Sequence, residues 1–164
     1  MANKVKIGIG PAPETVTHEI TIVLPSGDEA DLSIDYIYRS KDEFAEFLEK
    51  QGETLDKEYQ ANVTSAIKHA GIAKADFDAM QVDDQQKVLF DYRVEQNKKK
   101  GAKKLTQEQT KKDAEHVLQI AKGWDLGDEF TLDNLIKFEN RYSGVLMAIV
   151  QGYPQALFGA RLKN

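Results

Sequence analysis

The residues best suited to chemistry stand together in the segment WDLGDEFT, where the only tryptophan of the chain, Trp124, precedes three acids. Asp125, Asp128 and Glu129 offer carboxylate oxygens, which bind divalent cations and act as general acids or bases. An EF-hand calcium loop requires oxygen ligands at alternate positions and glycine at the sixth. Gly127 is only the third residue from Asp125, so the spacing excludes such a loop.

The surroundings of this segment favour a structural role. The apolar pattern of the preceding helix ends near Gly123, and Thr131 can cap the next helix. Two apolar residues, Leu126 and Phe130, interrupt the acids and can point inward together with Trp124. The segment is therefore interpreted as an acidic turn between helices, anchored by its apolar side chains, and not as an active site.

Other acids occur in pairs where helices are expected to begin. Negative charge at a helix start is favourable to the helix dipole by some tenths of a kcal/mol. A metal site or an acid–base pair needs a defined geometry that such short motifs do not supply. Helix capping is therefore the preferred interpretation of both pairs, which are Asp76 with Asp78 and Asp83 with Asp84.

Further signatures of catalysis are missing from the sequence. The three histidines, His18, His69 and His116, are far apart, and none belongs to an HExxH pair. No Walker-type phosphate loop, dinucleotide fingerprint or nucleophile elbow occurs. Without cysteine there can be no thiolate metal site. We expect no enzyme activity, no cofactor and no metal; the alternative is a small enzyme with a site assembled from scattered Asp and His residues.

Length and composition favour a single domain over residues 1–164, with 41% apolar and 30% charged residues. No apolar run approaches the roughly 20 residues that cross a bilayer. The first residues, MANKVKIGIG, lack the apolar core of a signal peptide. We expect a cytosolic protein without a membrane partner.

The overall charge makes nucleic acid an unlikely partner by general attraction, because the net charge is −5 and the pI is near 5.3. One local exception holds five lysines between Lys98 and Lys104. The segment 97–105 is interpreted as a mobile, solvated connection between helices. A nucleic-acid-binding accessory protein that uses Lys98–Lys104 is the alternative.

Residues 1–39 alternate with period two, which is typical of half-buried strands. The sequence PSGD between the second and third runs predicts a hairpin turn. We expect about three antiparallel strands, marked by Val5, Ile7 and Ile9, by Ile20, Ile22 and Leu24, and by Ala30, Leu32, Ile34, Tyr36 and Tyr38.

Helical patterns occupy residues 40–164. Ser40 and Glu43 have the spacing of a capping box, and Gly52 is placed to end the helix that follows. A second helix ends at Gly71. A third pattern covers 76–97, with a break expected at the acids Asp83 and Asp84.

Three more helices are predicted after the lysines. Thr106 and Gln109 form another possible capping box, Thr131 can cap LDNLIKFENRY, and Ser143 can cap GVLMAIVQGYPQALF. Pro154 lacks a backbone donor and should kink or split the last helix just before it. The fold class is α+β, with a small N-terminal antiparallel sheet followed by a mainly helical C-terminal part.

The last predicted helix is apolar on nearly every side. Such a helix must be buried, either in the protein's own core or against a partner. Both interpretations are open at this point, and they concern Val145, Leu146, Met147, Ile149 and Val150.

The chain resembles the tail assembly chaperones of long-tailed bacteriophages and prophages over about half its length. The strands from Ile20 to Tyr38 and the segment SKDEFAEFLE look like the N-terminal part of that family. Proline is usual in the family at the position of Ser143 and not at that of Pro154, so the chain departs there. The C-terminal similarity lies in the order of Trp124, the acidic turn, the helix from Thr131, Tyr142, Ala148-Ile149, Tyr153, Leu157 and GARLKN.

The resemblance implies a non-enzymatic role in building the tail. Such chaperones keep the long, helical tape measure protein soluble and help bring tail tube subunits onto it. They leave before the tail is complete, so we do not expect the protein in the mature virion. An unassigned protein-interaction domain is a further alternative. The residues expected to bind a partner or to anchor the fold are Phe44, Phe47, Trp124, Phe130, Tyr142, Leu146, Ile149, Tyr153 and Leu157.

Overall fold

A computed structural model of the protein describes residues 10–159. The described chain forms two compact units. The sheet unit contains residues 10–39 and 110–159, and the helical unit is Ser40–Gln109. The first predicted strand, around residues 5–9, lies outside the described residues. Between residues 10 and 159, no helix is long and apolar enough to cross a membrane.

The first two described strands form the predicted hairpin. β1 (Thr15–Val23) pairs antiparallel with β2 (Glu29–Ile37) along the full length of both strands. At the turn, the N–H of Leu24 donates to the carbonyl of Asp28 at 2.8 Å, and Gly27 adopts a positive φ of 89°. A residue without a Cβ reaches that backbone region at no steric cost, so the PSGD signal is confirmed.

The third described strand comes from a segment that was predicted to end a helix. β3 (Ala121–Trp124) pairs antiparallel with β2, which gives the order β1-β2-β3. Its four residues are too short to show an alternating pattern, and its partner lies far away in sequence. The α+β class is nevertheless confirmed, because a three-stranded antiparallel sheet is combined with a mostly helical remainder.

One long helix replaces the two that were predicted after the sheet. α1 (Lys41–Ala70) runs for 30 residues, begins at the predicted capping box of Ser40 and Glu43, and ends at Gly71 in a left-handed conformation. The predicted end at Gly52 is wrong. Glycine inside a helix costs only about 0.5–1 kcal/mol relative to alanine, so a single one does not stop a helix that is well formed on both sides.

The next helices begin slightly before their predicted starts. α2 (Lys74–Ala79) and α3 (Val82–Lys100) are separated at residues 80–81, so Asp83 and Asp84 occupy the first turn of α3 and do not cap it. Their negative charge in the first turn is still favourable to the dipole of α3.

The lysines between 98 and 104 lie on helices. α3 continues to Lys100 and α4 (Ala102–Ile120) starts two residues later, with Gly101 between them at a φ of +78°. The capping box predicted at Thr106 is therefore wrong, because that residue is inside α4. The mobility of segment 97–105 stays a prediction.

The last two helices each begin at a side-chain cap. The N–H of Asn134 donates to the Thr131 side chain at 3.3 Å, which confirms the predicted cap of α5 (Leu132–Arg141). The cap predicted at Ser143 is wrong, since α6 (Val145–Phe158) begins after Gly144, whose φ is +94°. The Glu139 carboxylate of α5 accepts from the N–H groups of Gly144 at 2.7 Å and Leu146 at 2.9 Å.

α6 contains Pro154 and is not interrupted by it. The predicted split is therefore wrong. Proline removes one hydrogen bond of the helix. The apolar burial on both sides of Pro154, at Tyr153, Ala156 and Leu157, holds the backbone in place.

The core of the sheet unit is built between the sheet and α6, around Tyr36 of the central strand. The Tyr36 side chain is fully buried, and its hydroxyl donates to the Ile149 carbonyl at 2.7 Å. Its ring stacks on that of Tyr153, with centroids 5.6 Å apart. Burial raises the pKa of the Tyr36 hydroxyl far above its ordinary value, so the proton that it donates is kept.

Gly152 allows this close approach of α6 to the sheet. A Cβ at Gly152 would lie 2.5 Å from the Tyr36 hydroxyl and 2.7 Å from Cγ2 of Ile20. Both neighbours are buried, so neither can move away without disturbing the core.

Gly152→Ala is expected to destabilise the sheet unit by about 1–3 kcal/mol, because the added methyl overpacks this contact. Urea unfolding followed by Trp124 fluorescence measures the change. Gly52→Ala is the contrasting control. Nothing lies within 4 Å of a Cβ there, so we expect the helical unit to become more stable by about 0.5–1 kcal/mol. Equal stability of Gly152→Ala and the parent would contradict the packing described.

Glu139→Gln is expected to destabilise the sheet unit by about 1 kcal/mol, since the charged acceptor of the two N–H groups at the start of α6 is lost. Glu129→Gln makes the same change of charge on an exposed side chain. The same urea experiment should leave the Glu129→Gln midpoint within experimental error of the parent, and equal effects of both variants would contradict the capping role.

Candidate partner-binding surfaces

Four half-buried aromatic side chains form a cluster in the sheet unit. The Trp124 ring meets those of Phe130 and Phe138 edge-on, with centroids 5.1 and 5.3 Å apart. Phe138 contacts Tyr142 in the same way at 5.3 Å. Three of the predicted anchors, Trp124, Phe130 and Tyr142, therefore lie together, and Phe138 is the member that was not predicted.

Two of the acidic residues beside this cluster, Asp125 and Asp128, form hydrogen bonds that stabilise the turn. The Trp124 indole N–H donates to the carbonyl of Asp128 at 2.6 Å. Asp125 continues the β2–β3 pairing, because its N–H donates to the Ser33 carbonyl and its carboxylate accepts from the Ser33 N–H, both at 3.1 Å. In the described part of the chain, no three His, Cys, Asp or Glu side chains are grouped so that they could hold a metal ion.

A shallow groove of about 430 Å³ runs beside the aromatic cluster. Its charged lining is mixed, with Lys137 and Arg141 on α5 and Asp128 in the turn. The Arg141 guanidinium lies over the Tyr142 ring, 5.5 Å from the centroid. The mixed charge gives this groove no clear preference for a charged ligand.

The predicted anchors on α6 are buried in the sheet unit. Leu146, Ile149, Tyr153 and Leu157 each expose 3% or less of their surface. The Tyr153 hydroxyl also donates to the carbonyl of Ile37 at 3.2 Å. Of the two interpretations of the last helix, the structure supports burial in the protein's own core, and these four side chains are not accessible to a partner.

Part of the exposed apolar surface of the helical unit follows one face of α1. Leu48, Leu55 and Tyr59 are 52%, 65% and 50% exposed. At 100° per residue their side chains fall within about 40° of one another. We call these three residues the α1 stripe. The predicted anchors Phe44 and Phe47 lie at the start of the same helix, half-buried, with ring centroids 6.5 Å apart.

The α1 stripe could not be recognised while α1 was divided at Gly52. Leu48 and Tyr59 were then assigned to different helices, and Leu55 belonged to neither. With one continuous helix, the spacing of seven and four residues places them on a single face.

The helical unit has a small core. Four residues, Val63, Ala66, Ile67 and Phe77, are buried, and α3 contains no buried residue. Four partly buried apolar side chains pack against these residues: Ile72, Met80, Val88 and Leu89. Much of the apolar surface of this unit therefore remains in contact with solvent.

A second groove, of about 700 Å³, lies between α1 and α3. Its apolar lining includes Tyr59 of the α1 stripe and Leu89 and Phe90 of α3. The only charged side chains that line it are Arg93 and Lys100, both cations. We call it the α1–α3 groove.

The comparison with protein families covers the whole chain, because a family model for phage tail assembly chaperones matches residues 1–164. The chain belongs to the phage tail assembly chaperone family. The match includes the middle of the chain, where the resemblance was not diagnostic. Neither a curated protein nor a solved structure matches the chain. Membership of this assembly family supports a chaperone role in tail assembly.

The lysines that suggested nucleic-acid binding are partly neutralised. Lys99 pairs with Glu95 and Lys100 with Glu108, both at 2.6 Å. Hydrogen bonds from Lys99 and then His69 lower the pKa of the Glu95 carboxyl below its ordinary value. Two of the five positive charges are thus paired with carboxylates within the helical unit, which weakens the nucleic-acid alternative.

Lys99→Gln is expected to raise the pKa of the Glu95 carboxyl toward 4.5, because its largest stabilising contact is removed. An NMR titration of the Glu95 side chain measures the change, and Lys98→Gln is the matched control. Since the folded pKa is depressed, Glu95 stabilises the fold above pH 4.5, and this contribution is lost as the pH falls through the folded pKa. The same pKa in both variants would contradict the pairing.

Proposed function

We propose that this chaperone binds the tape measure protein and keeps it soluble while the tail is built. It also helps to recruit tail tube subunits, acts in the cytoplasm of the bacterial host, and leaves before the virion is complete. The family match supports the general role. The particular partners follow from the resemblance to chaperones of long-tailed phages and prophages.

The observation that carries the proposal is the α1 stripe. A long helical client that has not yet assembled exposes apolar helix faces, and these aggregate unless another apolar surface covers them. Leu48, Leu55 and Tyr59 give a straight apolar face on a helix of 30 residues, which suits an extended helical client. The aromatic anchors Phe44 and Phe47 precede it on the same helix.

The charge of the chain supports the same role. Its net charge is −5, and acids are dense along the exposed part of α1. A complex that carries this charge repels other copies of itself, so a covered client stays dispersed.

The test is co-expression with the largest open reading frame just downstream of this gene, as the candidate client, scoring the soluble fraction of the client and its co-elution on a sizing column. We expect the client to be soluble only with the chaperone. Leu55→Asp should weaken binding about tenfold, since a buried charge replaces apolar contact. The variant should remain folded because Leu55 is 65% exposed.

Val82→Asp is the matched control. Val82 is 64% exposed in the same unit but is not on the stripe, and aspartate suits the first turn of α3. If Leu55→Asp protects the client as well as Val82→Asp does, the stripe is not the binding surface. If the parent itself leaves the client insoluble and elutes alone, the proposed function is wrong.

A further inference from the structure

The α1–α3 groove differs from the rest of the molecule in its charge. The chain as a whole is acidic, yet both charged residues that line this groove are basic. Lys100 already pairs with Glu108 at 2.6 Å. Arg93 forms no ion pair within the described residues; its guanidinium lies 5.6 Å from the centroid of the Phe90 ring.

The groove offers an apolar floor beside this arginine. Phe90 is 54% exposed and Tyr59 50% exposed, and Leu89, which also lines the groove, packs against the small core of the unit. Two exposed aromatic rings next to one unpaired cation match a ligand that carries both an apolar face and a negative charge.

The dimensions of the groove match a helix. Its lining on α3 extends from Gln86 to Lys100, which is about 21 Å of helix. The walls are two helices, α1 and α3, and the side-chain amides of Asn62 and Gln96, which also line the groove, can hydrogen-bond to polar side chains of a ligand.

We propose that the α1–α3 groove binds an amphipathic helix of the client that presents its apolar face to Phe90 and Tyr59 and a carboxylate to Arg93. This rests on the proposed function and adds the sign of the charge that the client must carry. The groove continues the α1 stripe through Tyr59, so one client helix can contact both surfaces. Arg93 then acts as the selector of acidic over basic client segments.

The probe is a fluorescently labelled peptide of about 18 residues, with leucines on one stripe and glutamates on both flanks. A second peptide has lysine at every glutamate position. Binding to the full chain is measured by anisotropy. We expect the glutamate peptide to bind and the lysine peptide to bind at least about tenfold more weakly.

Arg93→Glu is expected to weaken the glutamate peptide about tenfold and to strengthen the lysine peptide, with Arg93→Gln between the parent and Arg93→Glu. Arg141→Glu is the matched control, since Arg141 also lies over an aromatic ring, at 5.5 Å, but in the sheet unit. It should leave both affinities unchanged. Far-UV circular dichroism confirms that each variant is folded.

Three outcomes would overturn the inference: equal binding of both peptides to the parent, equal effects of Arg93→Glu and Arg141→Glu, or displacement of the glutamate peptide by a single-stranded oligonucleotide. Dimerisation of the parent that Arg93→Glu abolishes would also overturn it, because a second copy would then be the occupant. The co-expression assay separates this inference from the proposed function. A soluble client with no dependence on Arg93 refutes the groove alone, and a charge-selective groove with an insoluble client refutes the function alone.

Discussion

The sheet unit depends on one buried hydrogen bond, from the Tyr36 hydroxyl to the carbonyl of Ile149. A buried hydroxyl without a partner would cost about 1–3 kcal/mol, so the central strand and α6 must meet at one register. That register brings the helix backbone so near the sheet that only glycine fits at Gly152. It also stacks Tyr153 on Tyr36, and the Arg39 guanidinium, which hydrogen-bonds to the Tyr153 hydroxyl, closes the same site from the end of β2.

The features that could be predicted from sequence have local causes. The β1–β2 hairpin follows from alternation and a glycine turn, and the caps at Ser40 and Thr131 follow from residues three positions apart. The features that were missed depend on distant partners. β3 forms because β2 is beside it, and the start of α6 is fixed by Glu139, a residue of the preceding helix. Neither contact leaves a periodic signal in the sequence.

Among the candidate surfaces, too, those with a local cause could be predicted and those that depend on distant contacts could not. The aromatic residues around Trp124 were recognised as anchors, since tryptophan and phenylalanine beside a turn indicate packing from composition alone. The α1 stripe and the α1–α3 groove could not be found, because both require α1 to be continuous through Gly52 and α3 to pack against its second half. Whether a helix continues through an interior glycine depends on the stability of the whole helix, and no single residue of the sequence reveals it.

In the proposed function, the partial exposure of the α1 stripe limits how long a client can stay bound. Leu48 and Tyr59 have already removed about half of their surface from water within the folded chain. Complete burial of such a side chain contributes about 1.5–3 kcal/mol, so a client gains only about half of that at each position. Affinity differences of this kind are expressed mainly in the dissociation rate. A row of half-buried contacts therefore gives a short residence time, which suits the proposed release of the client before the tail is complete.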